Sequence, residues 1–318
     1  MNRYLVVFFI VVCWSVTAYS KELEVGSSQA VTSISQAIKQ ASPFDTLCVN
    51  AGEYQPVSSL VIDKPLTVMA CGKVTIIAAK ASGIFEVRSD SVTISGFILS
   101  KVEKSYIKDL AAIWVDYSRH FSIENNTIDD CFFAIFCTKS KNGLINGNRI
   151  NGDAVQEHSS ANAIHLWYCD SMAINNNIVQ NHRDGIYLEF TDNSTITNNV
   201  SRHNLRYGLH FMFSNDDIYK YNTFTDNGAG VAVMFSDHIT MVNNNFIENW
   251  GRASYGLLLK EIYDSRIEGN VFRKNTIGIF SEGSSRIEFS SNVFDANGWA
   301  LKMRGSSMDN QISYNNFL

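Results

Sequence analysis

Along most of the chain a large apolar residue stands two positions after an Asn, and the pair returns about every twenty-two residues. The Asn copies are Asn126, Asn148, Asn176, Asn198, Asn222, Asn244, Asn270, Asn292 and Asn315. Their apolar followers are Ile128, Ile150, Ile178, Val200, Phe224, Phe246, Phe272, Phe294 and Phe317. A fixed period in this range marks a solenoid. A second ladder runs half a period out of phase, in the order small, apolar, any, apolar. Examples are Ala163-Ile164-His165-Leu166, Gly185-Ile186-Tyr187-Leu188, Gly208-Leu209-His210-Phe211 and Gly230-Val231-Ala232-Val233. Alternation with period two predicts strands with one buried face. Two such strands per repeat, joined by polar turns, predict an all-β chain, a right-handed parallel β-helix over residues 45–318. The Asn copies then shape turns, because Asn tolerates the left-handed backbone and its amide can bond the Asn one coil away.

The open end of a coil stack needs a cover. Ser33 and Gln36 have capping-box spacing, and Ile34, Ala37, Ile38 and Ala41 fall on one helical face, so residues 21–44 are predicted to form an N-terminal cap with a short helix. Segments 46–49 and 66–69 read as the first coils. After Asn315 the repeat stops in mid-coil, so the β-helix is expected to be incomplete at its C-terminus, or covered there by a partner.

At 318 residues the chain could hold two domains, but the unbroken repeat and only three prolines argue for one elongated domain. A net charge of -5 without a dense basic run argues against nucleic acid as a partner. Residues 1–20 read as a signal peptide: Arg3, an apolar run over 5–12, and Ala18-Tyr19-Ser20 before the cleavage point. No later segment is long and apolar enough to span a membrane, so the mature chain is expected to be soluble outside the cytoplasm. Beyond the signal, Cys48, Cys71, Cys131, Cys137 and Cys169 form neither a paired set nor a CxxC motif and are expected to be ordinary thiols. Cys48 and Cys71, about one coil apart, are the pair that could bridge.

A solenoid has no deep pocket by default, so chemistry belongs on its faces. The outward positions of the second ladder are His165 and Trp167, Tyr187 and Glu189, His210 and Met212, Ala232 and Met234, and Leu258 and Lys260. At coil spacing, His210, Met212 and Met234 could meet on one ion, and an imidazole with two thioethers selects Cu(I). Two other readings stay open. A Met and aromatic stripe can be a contact surface. Trp167, His182, Arg183, Asp184, Tyr187 and Glu189 could instead bind a sugar, with a carboxylate pair serving hydrolysis. No acid/base cluster recurs, so no catalytic residue is assigned and no enzymatic activity is expected.

Several coils carry phrases more specific than the repeat: the runs Arg183 to Glu189, Arg206 to Asn215, Asn227 to Ser236, Tyr255 to Lys260 and Asn297 to Leu301. In these the chain resembles the NosD family of periplasmic β-helix proteins, from about Ser33 to the end. The resemblance implies a non-catalytic accessory that works with an ABC transporter, its ATPase and membrane permease, in maturing the copper sulfide centre of nitrous oxide reductase. It also implies copper as cargo, with the reductase or a copper chaperone as partner. Spacing alone, not the resemblance, places copper on His210, Met212 and Met234. His165, Trp167, Tyr187, Glu189 and Lys260 are left as a partner or ligand face. The alternative is a secreted protein that binds or modifies polysaccharide, since the broader repeat class carries sugar-related labels.

Overall fold

The computed structural model describes residues 20–105, 107–251 and 254–318, so the expected signal peptide, apart from Ser20, lies outside the described residues. The chain winds into a right-handed parallel β-helix of about 13 turns. Its second ladder forms an 11-stranded parallel sheet that runs from Leu60–Ile62 to Trp299–Arg304. The small residue that opens each of these strands has a steric cause. A Cβ on Gly185 would stand 2.6 Å from the Gly208 carbonyl oxygen one coil on.

The first ladder differs from its prediction in two respects. Each coil contributes two short strands to the larger sheet of 23, such as Leu144–Asn146 and Arg149–Asn151, so a coil has three strands where the pattern predicted two. Each of those strands turns one residue inward, Ile145 and Ile150 here, and one residue is too few for alternation to be read. The buried Asn between them makes the corner. Asn148 Nδ2 donates to Asn177 Oδ1 at 3.0 Å and to the Ile123 carbonyl at 2.9 Å, and its backbone N–H donates to the same Asn177 oxygen. The ladder continues through Asn199, Asn222, Asn244, Asn270 and Asn292 to Asn315.

Asn177 and Asn199 therefore hold the positions expected for Asn176 and Asn198. The latter two stand on the corner in the left-handed region, at φ 57° and 56°. In these coils Val179 and Ser201 point inward, whereas Ile178 and Val200 are half-buried, and runs of Asn made the register ambiguous by one residue. A second ladder, of buried Asn204, Asn227, Asn249 and Asn275 and part-buried Asn297, forms another corner. His182 opens it, its backbone N–H donating to Asn204 Oδ1.

One apolar column fills the coil interior from Val25 to Phe294. Phe224, Phe246, Phe272 and Phe294 stack in it with centroids 5.5, 4.6 and 5.1 Å apart. The expected cap helix spans Ile34–Gln40, with the Gln36 backbone donating to Ser33 Oγ, and buries Ile34, Ala37 and Ile38. Strand Glu22–Val25 within the cap segment pairs in parallel with the first coil strand, Thr46–Tyr54. Cys48 and Cys71 form a disulfide, which corrects the expectation of free thiols there, because the coil register brings their Cα atoms to 5.4 Å. Cys131, Cys137 and Cys169 are free and buried.

One buried carboxyl titrates in an unusual range. Asp217 accepts from the Ser194 backbone and from Tyr219 Oη, and burial pushes its pKa up to about 8. The folded state holds this proton above the usual carboxylate value near 4, so its contribution to stability is full at low pH and is lost as pH rises toward 8. Asp217→Asn, whose Oδ1 can still accept from the Ser194 N–H while its Nδ2 donates to Tyr219 Oη, is expected to flatten the fall in melting temperature between about pH 5 and 8. An unchanged pH profile would show that Asp217 ionises freely. Phe246→Ala in the stacked column is expected to cost about 3 to 5 kcal/mol in chemical denaturation. A wild-type midpoint would place Phe246 outside the core.

Candidate functional site

The smaller sheet arranges the expected site residues in two files. His165, Tyr187, His210, Ala232 and Leu258 are register partners from coil to coil, and Trp167, Glu189, Met212, Met234 and Lys260 form the parallel file. In strands Asp184–Glu189, Tyr207–Met212 and Ala229–Asp237, the intervening Leu188, Phe211 and Val233 are fully buried in the coil, so both files turn away from it. Met212 and Met234 are direct partners across adjacent strands, and His210 lies one pleat from Met212.

Access separates the two files from His210 onward. The second is half-buried throughout, as are His165 and Tyr187 at the start of the first. The rest of the first is roofed: His210 is 3% exposed, and Ala232, Leu258 and Phe280 form a second apolar layer with Tyr207, Met234 and Tyr255. His210 turns out of the coil as expected, but it is covered from solvent. Its roof comes from residues at the start of the strands, with the Tyr207 ring centroid 4.8 Å from the imidazole and the Arg206 guanidinium 4.6 Å over Tyr207. Tyr187 is held edge-on between His165 and His210, at 4.7 and 4.9 Å.

A polar chain runs along this roof. Asp184 is fully buried, with Arg183 Nε and Arg206 Nε each 3.5 Å from a carboxyl oxygen. Burial raises the Asp184 pKa, while Arg206 and Arg183 oppose the rise. This geometry makes Asp184 a clamp between cations, not a carboxylate open to a sugar. Arg183 Nη2 donates to Asn162 Oδ1, Asn162 Nδ2 donates to His165 Nδ1, and Arg206 Nη2 donates to His210 Nδ1 at 3.3 Å. A guanidinium only donates, so His210 Nδ1 is the acceptor and the ring proton is on Nε2. Both Nε2 atoms are buried without a partner. Burial, reinforced by the nearby arginines, lowers both imidazole pKa values to about 3, so the rings are neutral at physiological pH. Tyr187 is pushed up to about 12 by burial and by Glu189.

Beside the files a groove of about 450 Å³ is lined by Trp114, Phe136, Lys139, His165, Trp167 and Glu189, among others. Among the described residues no group of three His, Cys, Asp or Glu side chains is placed to hold a metal ion. The free cysteines offer no thiolate, since burial raises Cys131 and Cys169 to about 12 and lifts Cys137 well above the usual thiol value. What the face presents is soft, with two thioethers in register and a neutral imidazole beside them. Such a set matches Cu(I) in donor chemistry, provided that His210 moves its proton to Nδ1 and releases Arg206. Arg183 and Arg206 were visible in the coil-specific phrases, but their role was not. Strand alternation says which way a residue points and nothing about what folds over it.

The family described as periplasmic copper-binding protein (NosD) matches residues 149–318, which include both files from His165 onward. The sequence matches none of the curated proteins. Among solved structures, the A-module of mannuronan C-5 epimerase AlgE4 from Azotobacter vinelandii is similar in fold, with a TM-score of 0.69 at 14% identity, over 86% of this chain and 89% of that one. The periplasmic alginate epimerase AlgG gives 0.58 at 13% identity, over 85% and 84% of the two chains. The Streptococcus pneumoniae surface protein and adhesin PfbA gives 0.59 at 14% identity, over 89% and 94%. At such identities these likenesses establish the parallel β-helix alone. With a family model spanning more than half of its length, the chain belongs to the NosD family of periplasmic copper-binding proteins.

Proposed function

We propose that this chain is a non-catalytic periplasmic accessory that carries Cu(I) on the half-buried file of its smaller sheet during maturation of a copper enzyme. The observation that carries the reading is the Met212–Met234 pair, two thioethers held as register partners beside a neutral His210, within the stretch that matches the copper-binding family. Soft sulfur donors favour Cu(I) over hard cations. As cargo, copper needs a site on the surface, not in a closed cage, and both methionines are only partly buried. The enzyme served is nitrous oxide reductase, and an ABC transporter is the membrane partner, as the family resemblance implies. His165, Trp167, Tyr187, Glu189 and Lys260 continue the same face and serve as the contact area for those partners.

Met212→Leu with Met234→Leu nearly conserves volume and apolarity, so the fold should persist. In anaerobic competition with a chromophoric Cu(I) chelator, the double variant is expected to bind at least about tenfold more weakly. His210→Ala is expected to lower affinity in the same direction. Unchanged affinity in both would remove this site, and normal reductase maturation in cells carrying the double variant would remove the face from the function.

The second expectation concerns catalysis. Asp184 is buried between two arginines, so the carboxylate pair that a sugar-modifying reading would use is not available to a substrate. Purified protein is expected to show no lyase, epimerase or hydrolase turnover on uronate or neutral polysaccharides. Turnover abolished by Glu189→Gln would instead support the sugar reading.

A further inference from the structure

From Ala111–Asp116 onward, each coil of the smaller sheet places one residue in the left-handed backbone region just after its outward pair, and in four successive coils that residue is aromatic. Tyr168, Phe190, Phe213 and Phe235 have φ of 53°, 51°, 51° and 54°. Bulky side chains are disfavoured in this region, where Gly, Asn and Asp are usual. The same file continues with Glu261 and with Gly283, at φ 54° and 61°. The four rings stack nearly flat, with centroids 4.5, 5.1 and 5.2 Å apart and planes within 14° of parallel. Three of them are open to solvent: Tyr168 is 48% exposed, Phe213 38% and Phe235 41%. At another corner of this chain the left-handed position is taken by exposed Asn125, Asn176, Asn198 and Asn243, so the backbone turn alone does not call for Tyr and Phe here.

The neighbours of the ladder define its chemistry. On one side lies the Glu189, Met212 and Met234 file, one residue earlier in each coil. On the other lies an acidic row: Asp170 bridges to Asp192, Asp192 accepts from the Asn215 backbone, Asn215 accepts from the Asp237 backbone, and Asp216 is exposed beside them. Among the described residues Asp170, Asp192 and Asp216 meet no cation, and Asp237 meets only His238. Because the faces between successive rings are covered by the stack, solvent along its length meets ring edges. A sugar packs on a ring face, so this ladder is not a sugar platform. Ring edges carry the positive side of the aromatic quadrupole and suit thioether sulfur and aliphatic groups. The carboxylates supply attraction for ammonium and guanidinium groups.

We propose that the Tyr168–Phe190–Phe213–Phe235 ladder is a docking strip for an extended, cationic, methionine-bearing segment of a partner protein. At the usual spacing of coils, the strip spans roughly 15 Å, the reach of about five residues of extended chain. The proposal does not depend on metal at Met212 and Met234, so its failure and that of the copper reading are separable.

The test uses metal-free full-length mature protein and a fluorescent peptide of alternating Lys and Met, with anisotropy read at low and physiological ionic strength. Binding is expected, weaker in salt, and lost when Lys is replaced by Glu. Phe190→Asn with Phe213→Asn and Phe235→Asn suits the left-handed backbone, so the fold should melt as wild type while the peptide binds about tenfold more weakly. Asp192→Asn with Asp216→Asn leaves the rings in place and should weaken binding and reduce its salt dependence. If the ring variant unfolds early, the carboxylate variant alone decides. No binding by wild-type protein, equal binding of the Glu peptide, or unchanged affinity in the carboxylate variant would overturn the proposal. So would competition by a uronate oligosaccharide, or a ladder-dependent dimer in sedimentation velocity.

Discussion

The buried asparagine ladder is the constraint on which the rest of this molecule depends. A corner that turns the chain inside a coil leaves backbone N–H and carbonyl groups out of the strand ladders, and burying them unpaired is costly. Each ladder Asn answers both needs at once: its Oδ1 accepts from the coil below, and its Nδ2 donates to the coil above and to a backbone carbonyl. The bond forms only when successive copies lie one full coil apart. Insertions are therefore expelled from the ladder, as in the longest step, 29 residues from Asn148 to Asn177, where the extra chain runs outside through the short helical turn Glu157–Ser159. Register is fixed at the corners and transmitted to every file of side chains on the surface.

That transmission makes a surface site possible on a fold with no central pocket. Met212 and Met234 are neighbours because Asn199, Asn222 and Asn244 hold their coils in step. The same locking aligns His165, Tyr187 and His210 in one file, and Tyr168, Phe190, Phe213 and Phe235 in another. The faces differ by what covers them. Arg183, Arg206 and Tyr207 arise where the chain enters a strand, fold over the histidine file, and leave the methionine file half open.

The period, the strand alternation and the cap around Ser33 were legible because each is a local pattern with a local cause. The family was legible from phrases around Gly185, Gly208 and Gly230, where the coil leaves no room for a larger residue. Other features depend on atoms far apart in sequence. The choice of Asn177 over Asn176 needed to know which of Ile178 and Val179 faces the core. The burial of His210 depended on a roof from Tyr207, and the Cys48–Cys71 bridge on the geometry of two coils. The aromatic ladder escaped notice because its rings occupy turn positions, where sequence patterns lead one to expect Gly, Asn or Asp.

The proposed copper site rests on the claim that coil register brings two thioethers to one ion. X-ray absorption at the copper edge, on protein loaded anaerobically with one equivalent of Cu(I), addresses that claim directly. The account predicts a sulfur shell of two scatterers with one imidazole nitrogen, and loss of sulfur when Met212 and Met234 are both leucine. A shell of nitrogen and oxygen alone, or sulfur that persists in the leucine variant, would contradict it.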